Sequence, residues 1–178
     1  IGGFGLKSQA TCLACDSNGT FFVGMGDHLE LYDSTGALMQ TWATAGTNAV
    51  ITSVAVGVGE VYAADAGGHV VLRYDATGGV QRLIGRKDVA RGIPGFVIPS
   101  PYFDVAIGAN GTLWVVNPGL HQLENYTRNG EMITSWKRTG NGIDGFCGCC
   151  NPTHIALLSD GSFVTSEKGI PRVKVVDA

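Results

Sequence analysis

The chain has 178 residues, of which 44% are hydrophobic and 15% charged, with 27 glycines and a net charge of −3. That is apolar enough for a core, and the absence of a basic stripe excludes nucleic acid as an expected partner. No apolar run is long enough to predict a membrane span.

Residues 1–11 are Gly-rich and read as a link. The first unit, residues 12–43, places strands around Leu13-Ala14-Cys15 and Phe21-Phe22-Val23, with a third ending at Tyr32-Asp33. Asp16-Ser17-Asn18-Gly19 and Asp33-Ser34-Thr35-Gly36 are hairpin turns: Asp bonds the backbone ahead of it, and Gly takes φ > 0 without a Cβ penalty. The second unit, residues 51–85, is the clearest. Its strands are Ser53–Val56, Val61–Ala64, Val70–Tyr74 and Val80–Ile84, each β-branched or aromatic and bounded by turn residues. The third unit, 102–137, repeats Val105-Ala106-Ile107, Leu113-Trp114-Val115 and Tyr126-Thr127. The fourth, 153–178, repeats Ile155-Ala156-Leu157, Phe163-Val164-Thr165 and Val176-Asp177, and stops before an outer strand.

A four-stranded antiparallel unit recurring roughly every forty to fifty residues predicts an all-β chain of β-propeller blades. The sequence starts at Ile1 rather than Met, and it is expected to be part of a longer protein, any signal peptide lying upstream. Three N-glycosylation sequons occur, at Asn18, Asn110 and Asn125, and the first two are the Asn-Gly of tight turns.

The repeats resemble the NHL repeats of six-bladed β-propellers, over essentially the whole chain. Gly68-His69-Val70 and Leu120-His121-Gln122 keep the His of the family's Asn-His-Leu corner, and Asp27-His28-Leu29 keeps His-Leu shifted by one place. Arg91–Phe96, Ser166–Arg172 and the loop Gly145-Phe146-Cys147-Gly148-Cys149-Cys150-Asn151-Pro152 are similar to stretches of bacterial NHL-propeller proteins. The resemblance implies about four blades of a six-bladed ring. Such propellers serve as binding scaffolds, lyases and hydrolases.

Two long inserts, 86–101 and 138–152, join successive blades on the face that also collects the second-to-third-strand turns. Function concentrates in long loops on a rigid scaffold. Arg86, Lys87, Arg91, Lys168 and Arg172 are expected to give that face a mildly basic ligand or partner surface. The first inner-strand residues, Cys12, Ser53, Asp104 and His154, fall at one level near the mouth of the central channel. One reading is that they bond loop backbone. The other makes Asp104 and His154, with Glu167, a polar catalytic pocket suited to proton transfer or metal ligation.

Cys147, Cys149 and Cys150 lie just before His154. Three readings compete: a disulfide among Cys12, Cys147, Cys149 and Cys150, a soft-metal site adding His154 for zinc, copper or an iron–sulfur cluster, and free thiols. Cys12 and Cys15 should point to opposite sides of their strand, with Cys15 a small core residue. The leading expectation is a secreted or envelope-located scaffold binding a protein or small anionic ligand over the insert face. Self-association through blade edges is a further expected mode of assembly. The alternatives are a metal-dependent lyase- or hydrolase-like enzyme at the channel mouth and a cysteine-based metal or redox module.

Overall fold

A computed structural model describes residues 2–177. Blade 1 comprises β1 (Cys12–Cys15), β2 (Phe21–Gly24), β3 (His28–Tyr32) and β4 (Leu38–Ala43). Blade 2 comprises β5 (Ile51–Gly57), β6 (Glu60–Asp65), β7 (Val70–Tyr74) and β8 (Val80–Ile84). Blade 3 comprises β9 (Val105–Ile107), β10 (Leu113–Asn117), β11 (Gln122–Tyr126) and β12 (Met132–Lys137). Blade 4 comprises β13 (His154–Leu157), β14 (Phe163–Glu167) and β15 (Arg172–Val176). Each sheet is an antiparallel meander, and the first strands β1, β5, β9 and β13 touch in succession. The architecture is therefore that of propeller blades arrayed about an axis lined by their first strands.

The repeat is built from one turn used again and again. Asp33 Oδ1 accepts the N–H groups of Thr35 at 2.8 Å and Ala37 at 3.0 Å, and Asp75 Oδ1 does the same for Thr77 at 2.8 Å and Gly79 at 3.0 Å. In blade 3 the Thr127 hydroxyl replaces the carboxylate, accepting Asn129 and Glu131 N–H at 3.2 Å. Gly36, Gly78 and Gly130 take positive φ in these turns. A register shift at Tyr32, Tyr74 and Tyr126 accompanies each, so the bulge repeats with the turn.

The core lies between blades rather than inside one sheet. Phe22, Leu31 and Trp42 of blade 1 meet Val54, Val61 and Tyr74 of blade 2. Tyr62 and Val71 of blade 2 meet Val105, Leu113 and Tyr126 of blade 3, with Phe96 of the first insert and Phe103, just before β9, wedged in. Trp114 stacks edge-on against Phe163 across blades 3 and 4, ring centroids 4.6 Å apart. Sandwiched on both sides, β6 is buried along its whole length, whereas β4 and β12 on the rim are mostly exposed. Val173 and Val175 of blade 4 are 69% and 64% exposed. Val173 aligns with Val71 and Leu123, which in blades 2 and 3 pack against the next blade.

Candidate functional site

In blades 2, 3 and 4 the last residue of the second strand anchors the segment that enters its blade. Asp65 Oδ1 accepts the N–H of Val50 at 2.8 Å and of Gly68 at 2.9 Å. Asn117 Oδ1 accepts the N–H of Val97, in the first insert, at 3.0 Å. Glu167 fills the same place in blade 4. Its buried carboxylate takes Arg172 Nε at 2.7 Å and Lys174 Nζ at 2.9 Å. Arg172 and Lys174 in turn both donate to the Gly145 carbonyl in the second insert. Burial alone would raise the Glu167 carboxyl, but the Arg172 and Lys174 hydrogen bonds outweigh it and hold the group below its ordinary value. Glu167 is thus committed to holding the insert. This corrects its expected place beside Asp104 and His154, and it also takes Arg172 out of the free basic surface.

The corner histidines complete the anchoring. His69 and His121 both adopt left-handed backbone, at φ 54° and 55°, a conformation that His tolerates better than most residues. His69 Nδ1 lies 3.3 Å from the Phe96 carbonyl in the first insert. His121 Nε2 bonds the Gly148 carbonyl in the second.

Asp104 and His154 do meet. Asp104 Oδ2 lies 3.4 Å from His154 Nδ1 and accepts the Ile155 N–H at 2.8 Å. Ser53, one blade earlier, lies 3.4 Å from the Val105 N–H in the same relationship. Polar residues at this level therefore tie blade 2 to blade 3 and blade 3 to blade 4. The His154 side chain is 62% exposed, while that of Asp104 is 14% exposed. The hydrogen bond to Asp104 raises the His154 pKa above its ordinary value, against a smaller opposing effect of burial.

All five cysteines are free thiols. Cys12 packs against the core between blades 1 and 2, its sulfur lying over Gly24. Cys15 is exposed rather than in the core, because Cys12 and Ala14 take the side of β1 that faces blade 2. In the second insert the sulfurs of Cys149 and Cys150 lie 2.9 Å apart. Asn151 braces this loop: its Oδ1 accepts the Lys168 N–H and its Nδ2 donates to the Lys168 carbonyl, each at 2.8 Å. The expected metal set of Cys12, Cys147, Cys149, Cys150 and His154 does not assemble. Among the described residues no three His, Cys, Asp or Glu side chains are grouped to hold a metal ion. Cys12 is lodged between blades and His154 is turned to Asp104.

The basic residues divide into separate places. Lys168 lies over the Tyr102 ring at 4.5 Å. Arg86, Lys87 and Arg91 join Arg82 in an open groove of about 1000 Å³, lined also by Tyr126 and the Asn129–Met132 turn. This groove runs along the outer wall, where β8 of blade 2 meets the outer turn of blade 3, and not at the channel mouth. Asp88 and Glu131 are its acidic members. Arg82 was missed in the sequence because it sits mid-strand. Its alternation with Leu83, which packs toward blade 1, was the available signal.

No protein-family model matches the chain, and no curated protein matches it in sequence. Its fold is similar to solved structures at low identity. The virginiamycin B lyase of Staphylococcus aureus matches at 12% identity with a TM-score of 0.66, over 95% of this chain and 55% of the lyase. Hydrazine synthase of Kuenenia stuttgartiensis matches at 16% identity with a TM-score of 0.69, over 99% of this chain and 49% of that one. The WD40 β-propeller domain of Doa1 matches at 15% identity with a TM-score of 0.59, over 84% of this chain and 44% of that one. The chain thus spans about half the length of these proteins. What the likeness carries is the β-propeller fold.

Proposed function

We propose that this chain is a binding module on an NHL-like propeller scaffold, taking an anionic partner such as an acidic peptide in the outer-wall groove. One observation carries the reading. Arg82, Arg86, Lys87 and Arg91 line a single open groove, and none of the four is ion-paired among the described residues. Elsewhere the scaffold pairs arginines with buried acids. Glu60, for example, takes Arg73 Nε at 2.7 Å and Arg128 Nη2 at 3.2 Å. Cations left in water at the rim of a concave surface cost little to hold and attract an oppositely charged partner over a Debye length.

The test is fluorescence anisotropy with a labelled Asp- and Glu-rich peptide. Saturable binding that weakens with salt is expected, and the double charge reversal R86E/K87E should reduce affinity about tenfold or more. Equal binding by the double variant overturns the reading.

The contact between Asp104 and the exposed His154 favours a second reading, a lyase- or hydrolase-like site at the channel mouth. A His oriented by a carboxylate suits proton transfer near neutral pH. His154→Ala separates the two, since it leaves the groove untouched and should leave peptide binding unchanged.

A further inference from the structure

Cys149 and Cys150 stand apart from the groove and from the Asp104–His154 contact, and neither reading uses them. Their sulfurs are 2.9 Å apart. Cys149 is exposed, whereas Cys150 is 2% exposed. The Ser100 hydroxyl is buried without a hydrogen-bond partner and lies beside the Cys150 sulfur, as does the Lys168 side chain. A buried hydroxyl without a partner and an ammonium near one sulfur favour its thiolate over its neutral thiol. We propose that Cys149 and Cys150 form a redox pair, oxidised to a disulfide by small hydroperoxides, which makes the loop between blades 3 and 4 a modification site.

The direction of attack follows from the surroundings. Burial would raise Cys150, but the Cys149 thiol bonded to it and the nearby Ser100 hydroxyl and Lys168 ammonium outweigh it and bring the thiol below its ordinary value. Cys149 moves the opposite way, chiefly because its own proton is shared with Cys150. Cys150 is therefore the nucleophile and Cys149 the resolving thiol. The Cys150 thiolate attacks one oxygen of hydrogen peroxide. The O–O bond breaks, hydroxide leaves and takes up the proton that the Cys150 thiol had released, and a sulfenic acid forms. The Cys149 sulfur then attacks the Cys150 sulfur. The S–O bond breaks, water leaves with the Cys149 proton, and the S–S bond closes. Two thiols and one hydrogen peroxide give one disulfide and two waters, the peroxide being reduced. The buried position of Cys150 favours an oxidant of this size over a bulky disulfide.

The lever on the rest of the molecule is Lys168. Oxidation removes the thiol whose thiolate form its ammonium favours, while its backbone stays tied to Asn151 through both N–H and carbonyl. The loop would keep its position while its charge changes.

The experiment treats the full chain with equimolar hydrogen peroxide at neutral pH, alkylates remaining thiols, digests, and reads the peptides by mass spectrometry. The peptide holding Cys147, Cys149 and Cys150 should lose two hydrogens and carry a single label, placed on Cys147 by fragmentation, while Cys12 and Cys15 are alkylated. A thiol reductant should restore both labels. Lys168→Met should slow the reaction about tenfold, and Cys150→Ser should leave Cys149 fully alkylated. A disulfide through Cys147, oxidation of Cys149 alone, or five unreacted thiols in the unmutated chain overturns the proposal. Because the decisive readings are made on that chain, a variant that fails to fold does not blur them.

Discussion

The Asp104 carboxylate joins blade 3 to blade 4, accepting the Ile155 N–H at 2.8 Å through the same oxygen that lies 3.4 Å from His154 Nδ1. One side chain thus fastens two blades and favours the protonated form of the exposed imidazole beside it.

Asp104→Ala should destabilise the chain by about 2 kcal/mol, the scale of a hydrogen bond to a charged acceptor. Asp104→Asn retains an amide oxygen and should lose less. Urea denaturation of the three proteins checks this. An equal loss in both variants would show that the charge, and not the acceptor, holds the blades.

His154 should titrate above its ordinary value in the unmutated chain, because Asp104 favours the imidazolium. The folded pKa exceeds the unfolded one, so this contribution to stability is complete below about pH 6.5 and is lost as pH rises through the folded value. The gain is small, because the ring is largely solvated. An NMR titration should show the midpoint falling in Asp104→Asn. An unchanged midpoint would remove Asp104 as the cause.

Glu167→Gln should cost about 3 kcal/mol or more, since it leaves Arg172 and buried Lys174 facing each other without a counter-charge. The damage should be local, with protease cleavage within residues 138–152. Acid should mimic it. The Glu167 carboxyl is held below its ordinary value, so its contribution is present above the unfolded carboxylate pKa and fades as pH falls through the folded one. Limited proteolysis across acidic pH follows both effects, and an insert equally resistant in Glu167→Gln would disprove them.

The blades were legible because two local signals agree. Short β-branched runs alternate with turns in which Asp or Thr accepts N–H groups ahead and Gly supplies φ > 0, as in Asp75–Gly79. The site was less legible, because its residues act across blades. Glu167 looked like a free carboxylate until β15 turned Lys174 inward and Val173 and Val175 outward, the reverse of what their hydropathy suggests. Lys174 Nζ also lies 4.0 Å from the Phe146 ring centroid, so its burial rests on residues nearly thirty positions away. Cys149 and Cys150 were visible as a cluster, but spacing alone could not show which thiols approach each other or that Ser100 and Lys168 flank one of them.

Several anchors of the two inserts read main chain. His69 and His121 bond the carbonyls of Phe96 and Gly148, and Asn117 bonds the N–H of Val97. Every residue has a carbonyl, and every residue but proline an N–H, so these bonds survive substitution at the exposed positions of the inserts, whereas Phe96, Phe146 and Asn151 hold through their side chains. The exposed residues of the inserts can therefore change chemistry without being re-fitted to the blades. A scaffold of this kind can exchange one binding surface for another by altering loop residues alone, with the mutational cost falling on affinity and not on folding.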